Sequence, residues 1–317
     1  MFKPVVLAGA LAAWVPPSAG QEFPQRTVQM VVPYPAGGIA DTQARMIAQR
    51  LSERWGQTVV VDNKSGGLTI PGTAAVAKAV PDCHTMLLSG LPVPLHAVSG
   101  RSLPYDTATQ LAPVSHITSV PNLLVVSASS PFQRLAELVD HAKRNPGKLT
   151  YGSTGIGGTS HLASELLAAV ARIEIMHIPY RGGAAAAADL ITGRVDMMFD
   201  SSSAENVSAG RLRALAVTSE QRIKQFPDVP TVAEQGYPGF SASAWFAIWT
   251  TGGSPAACIA KLSGEINDVL KDETVQRRFA TLGASVVGTS PEGAARFLES
   301  ESNRWGDLIR QRGLNLE

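Results

Sequence analysis

Short apolar runs alternate with segments of helical period along almost the whole chain, and this alternation limits the fold more than any single motif. Val28, Met30, Val31 and Val32 read as a short buried strand. Beyond Asp41, a plausible N-cap, the apolar positions Ala44, Ile47, Ala48, Leu51 and Trp55 fall on one helical face, which predicts a helix over 42–55. "TVVVDN", "TMLLSG", "NLLVVSA", "EIMHIPY", "VDMMFD" and "LRALAVTS" read as further strands. "QRLAELVDHAKR" reads as a helix, stopped by Asn145-Pro146-Gly147. The tail predicts three helices, over Ala256–Leu270, 274–282 and 291–311. Trp245 and Phe246 alternate with small residues and are expected in a core strand. Strands alternating with helices predict an α/β fold, with mainly parallel sheets covered on both faces and ligands at the carboxyl ends of strands.

The first twenty residues stand apart. One cation (Lys3) precedes an apolar stretch over 5–15, then Pro16-Pro17 and the small residues Ser18-Ala19-Gly20. That layout predicts a secretory signal cleaved near Gly20. The stretch is about 11 residues, short of the ~20 that span a bilayer. The remaining chain, about 297 residues of the 317, sets a prior of about two domains. With 27 Lys+Arg against 26 Asp+Glu, the overall field does not favour nucleic acid or an anionic membrane. Cys83 and Cys258 are one pair in a large chain, and the expectation is two unpaired buried thiols, with a disulfide between them as the alternative. The six histidines are scattered and no C-x-x-C or H-E-x-x-H spacing exists, so neither a metal nor a cofactor is expected.

Two loops could carry chemistry. In the first, Tyr34, Pro35, Ala36, Gly37, Gly38, Ile39, Ala40 and Asp41 join a strand to a helix start, where free N–H groups and the dipole suit an anion. The second, "YGSTGIGGTSH", frees the backbone at Gly155 and Gly157 and adds hydroxyls from Ser153, Thr154, Thr159 and Ser160 ahead of His161. The helix after it is expected to bury Leu162, Leu166 and Val170. This loop has no Lys or Arg, so an anion there would be held by neutral donors. A bare turn and a flexible surface loop are the plain alternatives. Two cradles about 115 residues apart suggest facing half-sites, one acid group to each, as a dicarboxylate requires. "VVPYPAGG" and "HIPYRGGA" are a near-repeat, read either as two similar sub-halves or as chance. Other motifs fail on spacing. Gly152-x-x-Gly155-x-Gly157 is not G-x-G-x-x-G, "NPGKLT" is not a P-loop, and no G-x-S-x-G occurs. Ser160, His161 and Glu165 leave an exported hydrolase as the enzyme alternative.

Eight blocks in order resemble the substrate-binding receptors of tripartite tricarboxylate transporters, the Bug family: "VVPYPAGGIAD", "PYDTATQLAPVSHI", "YGSTGIGGTSHLASELL", "HIPYRGG", "VDMMFD", "LRALAVTS", "FPDVPTVAEQGYPGF" and "LGASVVGTSPE". The resemblance implies a two-lobed periplasmic binding protein fold (type II-like) with a hinge, and a binding protein rather than an enzyme. Lobe 1 would hold 21–121 and 240–317, lobe 2 would hold 122–239, and the chain would cross near 120–123 and 238–243. It implies a monomer that closes on a small carboxylate and delivers it to the integral-membrane permease subunits, without inserting in the membrane itself. The site carried over comprises 34–41, Ser153, Thr154, Gly155, Gly157, Thr159, His161, Arg181 and Asp200. A ligand-presenting sensor for a signalling partner remains an alternative. The sequence departs from the family at Ile39, Ala40, "SGGLTIPG" (65–72) and Pro81-Asp82-Cys83-His84-Thr85. The more apolar pocket end tilts the expectation toward a dicarboxylate with an apolar or aromatic middle, such as adipate or terephthalate.

Overall fold

The computed structural model describes residues 23–98 and 100–316, so the expected signal segment and its cleavage near Gly20 lie outside the described residues. The chain runs β1 (Val28–Val32), α1 (Ile39–Trp55), β2 (Val59–Asn63), a short 3₁₀ turn (Gly67–Thr69), α2 (Ile70–Ala77), β3 (Thr85–Ser89), α3 (Pro92–His96) and α4 (Thr107–Gln110). It continues through β4 (Leu111–Val120), β5 (Leu123–Ser127), α5 (Leu135–Arg144), β6 (Thr150–Ser153), α6 (Thr159–Ala171), β7 (Met176–Pro179), α7 (Gly183–Ile191), β8 (Met197–Asp200), α8 (Ala204–Ser208) and β9 (Leu212–Val217). It ends with β10 (Ala244–Thr251), α9 (Ala256–Leu270), α10 (Glu273–Thr281), β11 (Ser285–Val286) and α11 (Pro291–Arg312).

These strands form two sheets, one per lobe, in the orders β11-β4-β10-β3-β1-β2 and β7-β6-β8-β5-β9. The two-lobed α/β class therefore holds, but the sheets are mixed rather than mainly parallel. β1 runs parallel to β2 and β3, and β6 to β7 and β8. β10 is antiparallel to β3 and β4, β11 to β4, and β5 to β8 and β9. The reason is the crossing. β4 leads into β5 with no helix between, and β10 returns to slot between β3 and β4. A strand reached without a crossover helix is free to run against its neighbours.

Between the sheets, Asn122 gathers the crossing segments. Its N–H donates to Thr218 Oγ1 at 2.8 Å and its side-chain amide donates to the Ala242 carbonyl at 2.7 Å. The Thr218 N–H returns to the Asn122 carbonyl at 2.9 Å, and the Ala242 N–H donates to the Thr218 carbonyl at 3.1 Å.

Helix α1 buries the face read from sequence: Ala44, Ile47, Ala48 and Leu51 pack with Met30, Val32, Met86 and Leu88. Each buried Ile or Leu contributes about 1.5–3 kcal/mol. Gly56 ends the helix in the left-handed conformation, its N–H on the Ser52 carbonyl. Helix α6 departs from expectation. Leu162, Ala163, Leu167, Ala168 and Ala171 are buried, Leu166 is half-buried and Val170 is exposed. The helix starts at Thr159 and turns its loop-side residues Ser160 and His161 inward, which rotates the buried face.

A second correction concerns the cysteines. Cys83 and Cys258 form a disulfide with Cα atoms 6.4 Å apart, so the two unpaired thiols are not observed. Cys83 lies in the turn leading into β3 and Cys258 in the first turn of α9, just after β10. Because β10 pairs with β3, a separation of 175 residues in sequence closes to a contact in space.

Candidate functional site

The two glycine loops are one structural device used twice. Gly37 (φ +82°) is followed by Gly38 (φ −75°, ψ 174°), which caps α1; Gly157 (φ +72°) is followed by Gly158 (φ −75°, ψ 164°), which caps α6. The positive φ is what demands glycine at Gly37 and Gly157. The first ladder bonds are Thr42 N–H to Gly38 C=O (2.9 Å) and Leu162 N–H to Gly158 C=O (3.0 Å). The N–H groups of Ile39, Ala40 and Asp41, and of Thr159, Ser160 and His161, thus precede the ladders and face outward from the helix starts.

In each turn the third helical residue reaches back. An Asp41 carboxylate oxygen accepts the Gly37 N–H at 2.8 Å, and His161 Nδ1 accepts the Gly157 N–H at 3.1 Å. The sequence echo of this geometry is Gly-Gly-x-x-Asp against Gly-Gly-x-x-His. The near-repeat at Gly182-Gly183 does not share it, because the cap at Gly182 has φ +105° instead. Asp41 is accordingly a third-residue cap, not the N-cap expected.

The reach-back residues differ in charge. Asp41 is buried, and desolvation alone would raise its pKa. Hydrogen bonds from Arg45 Nε (2.9 Å), the Gly37 N–H and Asn63 Nδ2 (2.9 Å) outweigh that and hold it below the ordinary carboxylate value. His161 is pushed down to about 4, first by burial and then by the adjacent His177, so it is a neutral acceptor at neutral pH. His161 stacks on His177 (4.2 Å between ring centres, 12°), which stacks on Tyr151 (4.8 Å, 11°). His177 Nε2 lies 2.6 Å from Ser153 Oγ, which also accepts the Gly155 N–H at 3.2 Å. Ser160 Oγ accepts the Thr154 N–H at 2.9 Å. Several hydroxyls of this loop therefore shape the loop itself.

Around the turns, each lobe contributes a wall. In lobe 1, Tyr34 OH lies 3.3 Å from Ser89 Oγ, and Phe246 meets the Tyr34 ring edge-on at 6.1 Å. Burial raises the Tyr34 pKa, keeping the phenol neutral. Pro35, Ala36, Gly37 and Gly38 are exposed, Ile39 is half-buried, and Ala40 and Asp41 are buried. In lobe 2, buried Asp200 accepts from Ser202 Oγ (2.9 Å) and Ser203 Oγ (2.6 Å). A Cβ placed on Gly183 would stand 3.6 Å from Asp200 Oδ1 and 3.7 Å from Thr154 Cγ2, so the loops after β6, β7 and β8 converge. Arg181 is exposed on the β7–α7 loop and makes no ion pair among the described residues.

Leu68, His96 and Leu316, which the sequence reading did not place at the site, line with Pro92, Leu95, Arg101 and Gly157 a small crevice of about 20 Å³ where lobe 1 meets the second glycine turn. Two larger clefts lie instead beside the crossings. One of about 620 Å³ includes Ser119, Arg222 and Lys224, and one of about 260 Å³ includes Ser243, Trp245 and Arg304. Neither includes a helix start with free N–H groups. The hydrolase alternative does not assemble: Ser160 bonds Thr154, His161 accepts from Gly157, and Glu165 pairs with Tyr151 and Arg312. Among the described residues no His/Cys/Asp/Glu group could hold a metal, and no helix is long and apolar enough to cross a membrane.

A two-lobed α/β molecule with paired glycine turns at its helix starts has the build of a solute-binding receptor. The profile of the tripartite tricarboxylate transporter family receptor matches residues 43–314, and the chain belongs to that family. It is 42% identical, over 98% of its length and 94% of the relative's, to a UPF0065 protein in the tcbD-tcbE intergenic region of Pseudomonas sp. strain P51. Among solved structures it resembles R. palustris Rpa4515 with adipate, at a TM-score of 0.83 and 35% identity, covering 92% of this chain and 99% of that one. It also resembles the periplasmic binding protein BugD, at 0.79 and 33%, covering 92% and 99%. The family is one of transporter receptors and BugD is a periplasmic binding protein, and this chain is a receptor rather than an enzyme.

Proposed function

We propose that this receptor works in the periplasm, captures a small dicarboxylate between its two glycine turns, and delivers it to the permease subunits of a tripartite tricarboxylate transporter. The observation that carries the reading is the duplicated turn. Each copy offers backbone N–H groups at a helix start, so each can take one carboxylate. Charge-assisted N–H bonds contribute about 1.5–3 kcal/mol each, and two or three per carboxylate, less the ordering cost, reach the roughly −8 kcal/mol of a micromolar binder. Adipate on the R. palustris relative supports a flexible, apolar-centred dicarboxylate, as do Ile39 and Ala40 in the first turn. The binding set is 34–41, Ser153, Thr154, Gly155, Gly157, Thr159, His161, Arg181 and Asp200. Lobe 1 comprises 21–121 and 240–317 and lobe 2 comprises 122–239, and they close about the Asn122 crossing as the ligand bridges them.

Calorimetry on the cleaved protein with adipate, terephthalate, succinate and hexanoate tests this. The expected result is binding by at least one dicarboxylate and at least tenfold weaker binding by hexanoate. Gly37→Val and Gly157→Val should each lose tenfold or more in affinity, because a side chain there costs about 1–2 kcal/mol of backbone strain and displaces the turn. Normal binding by both variants, or no binding by any dicarboxylate, would overturn the reading.

A further inference from the structure

The C-terminal helix links the two lobes at a point beside the second glycine turn. α11 begins on lobe 1: Phe297 stacks on His116 of β4 (3.9 Å, 8°), and Ser302 Oγ donates to the Pro94 carbonyl in α3 at 3.3 Å. At its far end the helix leaves that lobe. Arg312 Nε donates to Glu165 Oε2 of α6 at 3.0 Å. The other oxygen of the same carboxylate accepts the Tyr151 hydroxyl at 2.6 Å. Tyr151 sits on β6, two residues before Ser153 and the glycine turn, and its ring supports His177, which holds Ser153. Beyond Arg312 the tail folds back. Leu316 is buried 3.8 Å from where a Cβ on Gly157 would stand, and Arg101 of lobe 1 donates to its carbonyl.

The geometry points to Glu165 as a positioning residue: its carboxylate clasps Arg312 of α11 and Tyr151 of β6 at once, so that the C-terminal helix and tail hold the second glycine turn in its ligand-competent shape across the lobe boundary. The inference rests on the proposed receptor function and deepens it, since it assigns the regulation of that same site. Glu165 touches no ligand in this scheme. It acts through Tyr151 and the turn, and the clasp and ligand capture favour each other by linkage.

Arg312→Gln removes the ion pair at its half-exposed end, and Glu165→Gln removes it while keeping an acceptor for Tyr151. In the ligand-free protein, either variant should speed amide hydrogen exchange at 155–161 about tenfold, and adipate should leave about five- to tenfold faster. The double variant should add nothing further, and Arg312→Lys should restore most of the protection. Arg134→Gln, which breaks an exposed ion pair with Glu137 in the same lobe, is the control and should change neither. Unchanged exchange at the turn in both single variants would overturn the clasp. So would an equal speeding of every amide, which would make the pair a general stabiliser. If the wild type takes no carboxylate, the functional reading fails, while the exchange comparison still decides the clasp.

Discussion

Asp41 and His161 occupy equivalent positions in two equivalent turns, yet one is an anion and the other neutral. Asp41 is matched by Arg45 and Asn63, so on the proposed function the first turn carries its acid group without repelling a carboxylate at full strength. His161 brings no charge at all, which suits a turn without cations. It also makes the second turn sensitive to acid. The unfolded chain takes up the imidazole proton near the ordinary 6.5, whereas the folded protein resists it until about 4. As pH falls through that window the unfolded state binds more protons, so the stability His161 lends above 6.5 drains away. His116 is pushed down to about 4 by burial and adds in the same direction. Urea midpoints should therefore fall steadily from pH 7 to pH 4.5, and His161→Asn, which keeps an acceptor for Gly157, should flatten the slope. An unaltered slope would remove His161 from the account.

Helices and strands were legible where their periodicity was strong and their caps local. The helix over Ala256–Leu270 has the bounds expected, and the strand ending at Val32 was visible from its composition. The missing parts depend on distant partners. The start of α1 at Ile39 rather than residue 42 follows from a cap that reaches back from Asp41, which a search for an N-cap residue misplaces. The buried face of α6 is set by what the loop and α11 place against it, not by its own apolar spacing. Strand direction in the sheets follows from the crossings, which leave no local mark. Of the candidate site, the turns were readable because glycines mark them, while the Glu165–Arg312 pair, 147 residues apart, was not. The crossing itself invites a test. Asn122→Ala removes the amide bond to Ala242 in a buried setting and should cost about 1–3 kcal/mol. Denaturant unfolding will measure it, and a loss below about 0.5 kcal/mol would mean the crossing is held by other contacts.

At the scale of the whole molecule, the disulfide closes a long covalent ring, joining residues 175 apart in sequence. Cys83 and Cys258 enclose β3, β4, both crossings, every strand of the second sheet and β10. On the chain-entropy account, closing a loop of 175 residues restricts the unfolded ensemble by about 5 kcal/mol. Cys83→Ser with Cys258→Ser should lower the thermal midpoint by several degrees while leaving adipate affinity within about twofold, because neither cysteine approaches the glycine turns. A midpoint unmoved by the double change would show that the bridge adds nothing to stability. The topology of that ring has an outcome visible on a gel. A protease that clips any surface loop of the inserted lobe yields an amino-terminal piece carrying Cys83 and a carboxy-terminal piece carrying Cys258. The pieces should migrate as one band until a thiol reagent is added and as two afterwards, so this lobe can be nicked without its halves drifting apart.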